Sequence, residues 1–237
     1  MGLADPHCHT VASDGMVTPA ELVAAAVAAG LDLIAITDHD TMRNAREVRE
    51  RGEESGLGVV TGIEVTTRWP AQTHVLGWFV EEPVHSGMSL EATVDAIHAQ
   101  DGLAVLPHPF MPTYFASCQP GMLERLIESR AVEGVEMVHT APTTRSRQAR
   151  LERFYATHGD RLGARIGGSD SHFGRHDLGL CVTEFEGRTA EEFRRAVLER
   201  RTEPKRVKSR SVPAGLVARQ QWRSLVELPV RRLRGNL

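Results

Sequence analysis

Leu31-Asp32-Leu33-Ile34-Ala35-Ile36-Thr37-Asp38-His39-Asp40 is an apolar strand that ends in a group of polar residues. Its short run of Leu, Ile and Ala is typical of a strand that is buried on both faces, as in a parallel sheet. The helix predicted before it begins after Thr18 and ends at Gly30. A charged helical segment over residues 41–54 and an apolar strand over residues 58–65 follow. This part of the chain therefore predicts alternating helices and strands.

The same alternation continues to about residue 200. Repeated units of this kind predict an α/β fold with parallel strands. About seven such units favour a barrel over an open sheet, and in a barrel the functional groups gather at the C-terminal ends of the strands. The further strands are predicted at 74–80, 103–106, 134–138, 164–168 and 180–185, and the further helices at 89–100, 122–130, 144–158 and 189–200.

Composition excludes several classes of protein. The chain has 237 residues, of which 41% are hydrophobic and 25% charged, and its formal net charge is −3. These values are typical of a globular domain. No apolar run approaches the roughly 18 residues of a membrane span, and the first residues lack a signal-peptide pattern. We therefore expect a cytoplasmic protein. Cys8, Cys118 and Cys181 are too scattered to predict a disulfide framework or a cysteine zinc site.

Charge divides the chain near residue 200. Residues 1–200 carry 18 basic and 29 acidic residues, whereas residues 201–237 carry 10 basic and 2 acidic ones. We predict a single domain over residues 1–200 and a basic C-terminal extension over residues 201–237. Two interpretations of the extension stay open. It is either a solvated tail that offsets an acidic body, or an arm that binds nucleic acid or an anionic membrane surface.

Histidines and carboxylates lie where the predicted strands begin or end. His7 and His9 are two residues apart in a strand, so both imidazoles project to one side and Cys8 to the other. Taken singly, such residues are explained as caps or surface groups, and we interpret Asp38 and Asp40 as caps of the following helix. Nine of them at one end of a barrel require cations to hold them together. Six imidazoles and three carboxylates suit Zn²⁺, Mn²⁺ or Fe²⁺. The nine are His7, His9, Asp14, His39, Glu64, His74, His108, Asp170 and His172.

The chain resembles the polymerase and histidinol phosphatase (PHP) family of metal-dependent phosphoesterases. The resemblance spans residues 4 to about 185 and implies a distorted (β/α)7 barrel, similar to a TIM barrel, with two to three divalent metal ions in its mouth. Seven motifs in the family's order carry it: Asp5-Pro6-His7-Cys8-His9, Ser13-Asp14-Gly15, Ile36-Thr37-Asp38-His39-Asp40, Gly62-Ile63-Glu64, His74-Val75-Leu76-Gly77, Pro107-His108-Pro109 and Gly168-Ser169-Asp170-Ser171-His172.

The resemblance also implies how the ligands are shared and how the chemistry runs. A hydroxide bridging two ions, held by Glu64 and Asp170, would attack phosphorus in line, because the cations lower the pKa of bound water. All nine positions carry competent ligands, which argues against a non-catalytic copy. The first ion would be held by His7, His9, Glu64 and Asp170, the second by Glu64, His74 and His108, and the third by Asp14, His39 and His172.

Residues near the ligands are candidates for contacting the substrate. Glu136 and His139 follow a predicted strand, and either is a candidate for supporting a metal ligand, while His139 is also a candidate general acid. Phe110 and Tyr114 are candidates for stacking on a ring. Four cationic residues are candidates for pairing with phosphate: Arg145, Arg147, Arg175 and His176.

The predicted function is hydrolysis of a small phosphomonoester or a nucleotide. The acidic domain suits a cation-filled site, and only 33 residues separate His74 from His108, which indicates a compact site. Three alternatives stay open. They are a 3′- or 5′-exonuclease on short oligonucleotides guided by the basic extension, a histidinol phosphate phosphatase, and a non-catalytic metal-dependent binding module.

Overall fold

Nine strands form a sheet that curls into a nearly closed barrel in the computed structural model, which describes residues 1–112, 116–207, 211–228 and 230. The strands are β1 (Gly2–Cys8), β2 (Leu33–Ile36), β3 (Gly58–Thr66), β4 (His74–Trp78), β5 (Leu103–Leu106), β6 (Gly134–His139), β7 (Ala164–Gly168), β8 (Cys181–Phe185) and β9 (Thr202–Arg206). The helices are α1 (Pro19–Ala29), α2 (Ala45–Ser55), α3 (Leu90–His98), α4 (Pro120–Ser129), α5 (Arg145–Leu162), α6 (Ala190–Leu198) and α7 (Ala214–Trp222). A 3₁₀ turn lies at Gly174–His176, and a π-helical turn at Arg223–Glu227.

The order of strands in the sheet is β7-β6-β5-β4-β3-β2-β1-β8-β9. β1, β2 and β3 are parallel neighbours, and so are β5, β6 and β7, as the alternation predicts. β4, β8 and β9 run antiparallel to their neighbours, so the expectation of parallel strands throughout is wrong there. The connection from β3 to β4 holds only residues 67–73 and no helix. A short connection suits an antiparallel pair, whereas parallel strands need a crossover.

Side-chain hydroxyls hold β7 against β8 and β9 where the barrel closes. The Thr183 hydroxyl accepts a hydrogen bond from Gly167 N and donates one to Gly167 O, each 2.9 Å long. The Thr202 hydroxyl donates to the Arg165 carbonyl at 2.8 Å. Gly167 is required at this position because a Cβ would collide with the Val182 carbonyl. These contacts bring the ends of β1 and β7, which carry the predicted ligands His7, His9, Asp170 and His172, to the same side of the barrel.

Several predicted helix starts are confirmed. Thr18 and Thr189 form capping boxes at the starts of α1 and α6, and Ser89 caps α3. The predicted order made residues 180–185 the last strand, but β9 follows and pairs antiparallel with β8 over five residues. Its sequence, Thr-Glu-Pro-Lys-Arg, has no apolar alternation and is typical of an edge strand. Within the described part of the chain, no helix is long and apolar enough to span a membrane.

Candidate metal centre

The nine predicted ligands converge at one mouth of the barrel. Most lie in or just after the C-terminal ends of parallel strands, and His74 is the first residue of the antiparallel β4. Three groups have ligand atoms that all lie within 4.8 Å of one another: His7, His9, Glu64 and Asp170; His9, Asp14, His39 and His172; and His39, Glu64 and His74. His108 adjoins the third group, with its Nε2 atom 3.3 Å from Glu64 Oε1.

Glu64 is at the centre of this arrangement, fully buried in β3. Its Oε2 atom lies 3.1 Å from His7 Nε2, 3.2 Å from His9 Nε2 and 3.3 Å from His39 Nδ1. Its Oε1 atom lies 2.7 Å from His74 Nδ1 and 3.3 Å from His108 Nε2. The two oxygens of one carboxylate therefore face two different sets of imidazoles, which is the arrangement a bridging ligand requires.

The unsatisfied atoms of the site fit a metal centre. Among the described residues, buried atoms without a hydrogen-bond partner include Asp14 Oδ1, His39 Nδ1 and His74 Nδ1. His74 Nδ1 is only 2.7 Å from Glu64 Oε1, and yet the two atoms do not point at each other as donor and acceptor. Two ligand atoms that each lie about 2.1 Å from one ion are themselves about 3.0–3.4 Å apart, for octahedral to tetrahedral angles. The donor set, imidazole nitrogen and carboxylate oxygen without thiolate, suits Zn²⁺, Mn²⁺ or Fe²⁺.

Strong coupling between acids and bases gives the site its electrostatics. Burial raises the pKa of Glu64 and of Asp170, but the surrounding histidines outweigh it and hold both pKa values well below the usual range. Burial lowers the pKa of His7. The negative charges of Glu64, Asp170 and Glu136 outweigh burial and raise that pKa well above its ordinary value. Asp14 and Asp170 likewise raise the pKa of His172. Without cations, protons on the histidines must balance the buried carboxylates.

Glu136 supports two of the ligands from behind. It is fully buried, and its Oε1 atom accepts a hydrogen bond from His7 Nδ1 at 2.9 Å while Oε2 accepts from the His108 backbone N–H at 2.7 Å. A carboxylate only accepts, so the proton of the neutral His7 ring lies on Nδ1 and the Nε2 lone pair is free for a metal. Gly168 is required beside it, because a Cβ there would collide with the Glu136 carboxylate.

The interpretation of Asp38 and Asp40 as helix caps is wrong. The N-cap of α2 is Asn44, and its side chain makes no capping hydrogen bond. Asp38 is buried and accepts hydrogen bonds from Thr10 N, Thr10 Oγ1 and Ser13 Oγ at 2.7, 2.5 and 2.5 Å. It therefore shapes the loop that carries the ligand Asp14. Asp40 accepts from Thr66 N at 2.7 Å and ties the end of β3 to the loop after β2.

Two ligands have unusual backbone conformations. His108 has φ 31° and Asp170 has φ 52°, both in the left-handed region. Non-glycine residues in sparsely populated regions cost of order 1–3 kcal/mol each and cluster at functional sites. Both residues follow the end of a parallel strand, β5 or β7. The left-handed conformation turns the chain there and leaves each side chain within reach of the site.

The predicted substrate contacts lie in different surroundings. His139 is buried next to His108, with ring centroids 6.5 Å apart, and burial lowers its pKa to about 4. Arg147 donates to the backbone carbonyls of Phe110 and Met111. Phe110 is 2% exposed and packs on Phe154, so its predicted stacking on a substrate is wrong.

The remaining predicted contacts lie at the surface. Arg145 is exposed at the first turn of α5. Arg175 and His176 are in the 3₁₀ turn after the ligand His172, where they line a cavity of about 570 Å³ together with Met16, Phe173, Leu216 and the alanines of α1. Tyr114 lies outside the described residues.

Sequence reasoning missed one contact to a ligand altogether. Gln220, in α7, donates a hydrogen bond from Nε2 to Asp14 Oδ2 at 2.9 Å, and Arg223 donates to the carbonyls of Ser13 and Val11. No local pattern joins residues that are 206 positions apart in the chain.

Fold and site together define a metal-binding α/β barrel whose centre is built from histidines and carboxylates. Comparison with protein families matches the PHP domain over residues 5–202. The chain belongs to the PHP family, as the motifs predict.

Relatives and solved structures agree with this assignment. A 3′,5′-nucleoside bisphosphate phosphatase of Chromobacterium violaceum is 27% identical over 210 residues, which are 78% of this chain and 71% of that protein. A 5′-3′ exoribonuclease of Haemophilus influenzae is 40% identical over 74 residues, 31% of this chain and 27% of that protein. A two-domain protein of Bacteroides vulgatus containing a predicted PHP-like metal-dependent phosphoesterase has a TM-score of 0.71 at 20% identity, covering 94% of this chain and 69% of that one. At this identity the last likeness supports the fold alone.

Proposed function

We propose that this chain hydrolyses small phosphomonoesters or nucleotides with two to three divalent ions in the barrel mouth. The main support for this proposal is the geometry of Glu64, whose two oxygens face separate sets of imidazoles. Asp14 with His39 and His172 supports a further position. When bound, such ions lower the pKa of water and offset the charge of the phosphoryl group.

The chain's own residues then have distinct roles. Glu64 and Asp170 flank the position from which water attacks, and their low pKa values keep both carboxylates charged at neutral pH. His139 is proposed to donate a hydrogen bond from its neutral ring to the leaving oxygen, since the ring adjoins His108 and its low pKa keeps it uncharged at neutral pH. Arg175 and His176 are proposed to bind the substrate at the cavity that adjoins His172, and Arg145 and Arg147 from the start of α5.

The cavity lined by Phe173, the residue after the ligand His172, supports a substrate with a nucleoside-sized leaving group. Its volume of about 570 Å³ is within the usual range of small-molecule sites. Its wall is apolar along the alanines of α1, and Glu21, Arg175 and His176 add polar groups. This wall suits a planar, partly apolar group next to a charged phosphate. The relative that acts on a nucleoside bisphosphate, and that aligns with 78% of this chain, favours the same substrate class.

Metal content and turnover test the proposal. The purified chain is analysed for bound metal and then assayed on nucleoside bisphosphates, mononucleotides, histidinol phosphate and a generic phosphate ester with Mn²⁺, Zn²⁺ or Fe²⁺. We expect two to three ions per chain and turnover that is lost in His9→Ala and Asp170→Ala. His85→Ala, at an exposed position, is the control. Absence of metal under every loading condition would overturn the proposal, and metal without turnover would favour a binding module.

A 5′-3′ exoribonuclease is the second candidate, since a relative of that name is 40% identical over 74 residues. Removing residues 201–237 would not test it cleanly, because β9 pairs with β8 in the sheet. Salt dependence is a better measure. If an oligonucleotide binds along a basic surface, its log kcat/KM falls with log salt at about −0.7 per phosphate contacted. We expect a shallow slope and no gain in kcat/KM as the substrate grows from one to ten nucleotides.

A further inference from the structure

Helix α7 and the turn after it contact the loop that carries Asp14. The Gln220 amide donates to Asp14 Oδ2 at 2.9 Å, and the Arg223 guanidinium donates to the carbonyls of Ser13 at 2.9 Å and Val11 at 2.6 Å. Both side chains come from outside residues 5–202, the part of the chain that matches the PHP domain. A segment beyond the family match thus reaches a ligand of the metal centre.

Gln220 is buried on a helix that is otherwise largely exposed. Gln220 is 6% exposed, whereas Val217 and Trp222 on the same helix are 38% and 63% exposed. An amide that leaves water costs free energy unless its hydrogen bonds are replaced. Here Nε2 donates to Asp14 and Oε1 accepts from Gln221 Nε2 at 2.8 Å. The helix therefore directs a polar side chain, and not an apolar one, into the site.

The hydrogen bond engages one oxygen of the Asp14 carboxylate and leaves the other available. Asp14 Oδ1 has no hydrogen-bond partner in the described part of the chain, and it lies 3.1 Å from His172 Nε2 and 3.7 Å from His39 Nε2. A neutral amide on Oδ2 fixes the rotation of the carboxylate and adds no positive charge that would compete with a cation. Hydrogen-bond partners of this kind orient metal ligands and raise metal affinity.

On the basis of the proposed metal centre, we infer that Gln220 is a positioning residue for Asp14. The C-terminal segment 214–228 thereby sets the affinity of the site formed by His9, Asp14, His39 and His172. The sites around Glu64 share His9 and His39 with this one, but Asp14 is not among their ligands and Glu136 is their own supporting residue. Loss of the Gln220 amide should therefore weaken one class of site and leave the others unchanged.

The test is metal binding by the metal-free full-length chain, measured by competition with a chromogenic chelator. Gln220→Leu keeps about the same volume but cannot donate a hydrogen bond. We expect it to bind one class of ion about 10–100-fold more weakly than the wild type, with the remaining sites unchanged. Ala218→Leu places a leucine at an exposed position of the same helix, away from the Gln220 amide, and is expected to bind metal like the wild type.

The outcomes separate this inference from the proposed function. Wild-type affinity in Gln220→Leu would overturn the inference and leave the proposed function intact, whereas a wild-type chain that binds no metal would overturn both. An equal loss in Ala218→Leu would also overturn the inference, because a general change in the helix and not loss of the amide would then be the cause. Unfolding temperatures of the metal-free variants show whether the fold is retained. A selective loss of affinity at an unchanged metal-free unfolding temperature supports the positioning role.

Discussion

Replacement of Glu136 by Gln tests how the site prepares His7 to bind a metal. Glu136 accepts two hydrogen bonds, one from His7 Nδ1 at 2.9 Å and one from the His108 backbone N–H at 2.7 Å. A Gln side chain has one accepting oxygen and one donating nitrogen. The backbone N–H cannot become an acceptor, so the amide oxygen must face His108 and the amide nitrogen must face His7 Nδ1.

That change reverses the tautomer of His7. Nδ1 then accepts a hydrogen bond, the proton lies on Nε2, and Nε2 no longer offers a lone pair to an ion shared with Glu64 and Asp170, which lie 3.1 and 3.3 Å away. Loss of such a partner lowers metal affinity by about 10–100-fold, or about 1.4–2.7 kcal/mol. Loss of a charge-assisted buried hydrogen bond also lowers the free energy of unfolding by about 1–3 kcal/mol.

A second glutamate in the same fold provides a matched control. Glu133 also accepts hydrogen bonds from a histidine and a backbone N–H, from His98 Nε2 at 3.0 Å and Ala104 N at 2.8 Å, but both reach its Oε2 atom and lie away from the metal centre. Isothermal titration of Mn²⁺ or Zn²⁺ into metal-free Glu136→Gln and Glu133→Gln compares them. We expect only Glu136→Gln to lose metal affinity, because the amide oxygen introduced by Glu133→Gln can still accept both hydrogen bonds of that site. Affinity within twofold of the wild type in Glu136→Gln, or an equal loss in Glu133→Gln, would refute the reasoning.

Four further predictions follow from the same contacts. An ion present at about 100 times its Kd stabilises the fold by about 2.7 kcal/mol. A chelator that removes it should therefore lower the unfolding temperature, measured by calorimetry, by about 5–11 °C per ion. Because carboxylates raise the pKa of His7 and His172, metal binding should release protons from these rings, and metal affinity should rise with pH. The heat of metal binding should then vary with the ionisation enthalpy of the buffer, and a heat that is the same in all buffers would contradict this. In the metal-free chain the same two histidines contribute their full stabilisation below their unfolded pKa of about 6.5, and this contribution is lost as pH rises through their folded pKa values. The free energy of unfolding, measured with denaturant, should therefore be lower at pH 9 than at pH 6. Gly168→Ala should weaken metal binding, because its Cβ would collide with the carboxylate behind His7, whereas Gly215→Ala, with open space around it, should bind normally in the same titration.

How much the sequence predicts depends on how local each signal is. Motifs such as Asp5-Pro6-His7-Cys8-His9 predict the ligands because both signals lie within a few residues. The side chains can bind a metal, and the two-residue period of the strand places both histidines on one face. Contacts between distant residues have no such signal. Asp38 looks like a helix cap in sequence, and only the fold shows that it binds Thr10 and Ser13, 28 and 25 positions away. Gln220 is likewise invisible, because its helix has no pattern that indicates a metal ligand as its neighbour.

The antiparallel strand β4 explains why one ligand comes from the start of a strand. In a barrel of parallel strands, every ligand at the mouth must follow the end of a strand. His74 is instead the first residue of β4, and in the β3–β4 pair it is opposite Thr66, with Glu64 opposite Leu76. Because β4 runs back from the mouth, the short connection over residues 67–73 joins the strand ends that carry Glu64 and His74. Their facing atoms, Glu64 Oε1 and His74 Nδ1, are 2.7 Å apart. A histidine at the start of an apolar run, among ligands that otherwise end such runs, is therefore itself a sequence signal for a reversed strand. The departure from the parallel barrel is thus the feature that lets the hairpin bring the central carboxylate and its imidazole partner together.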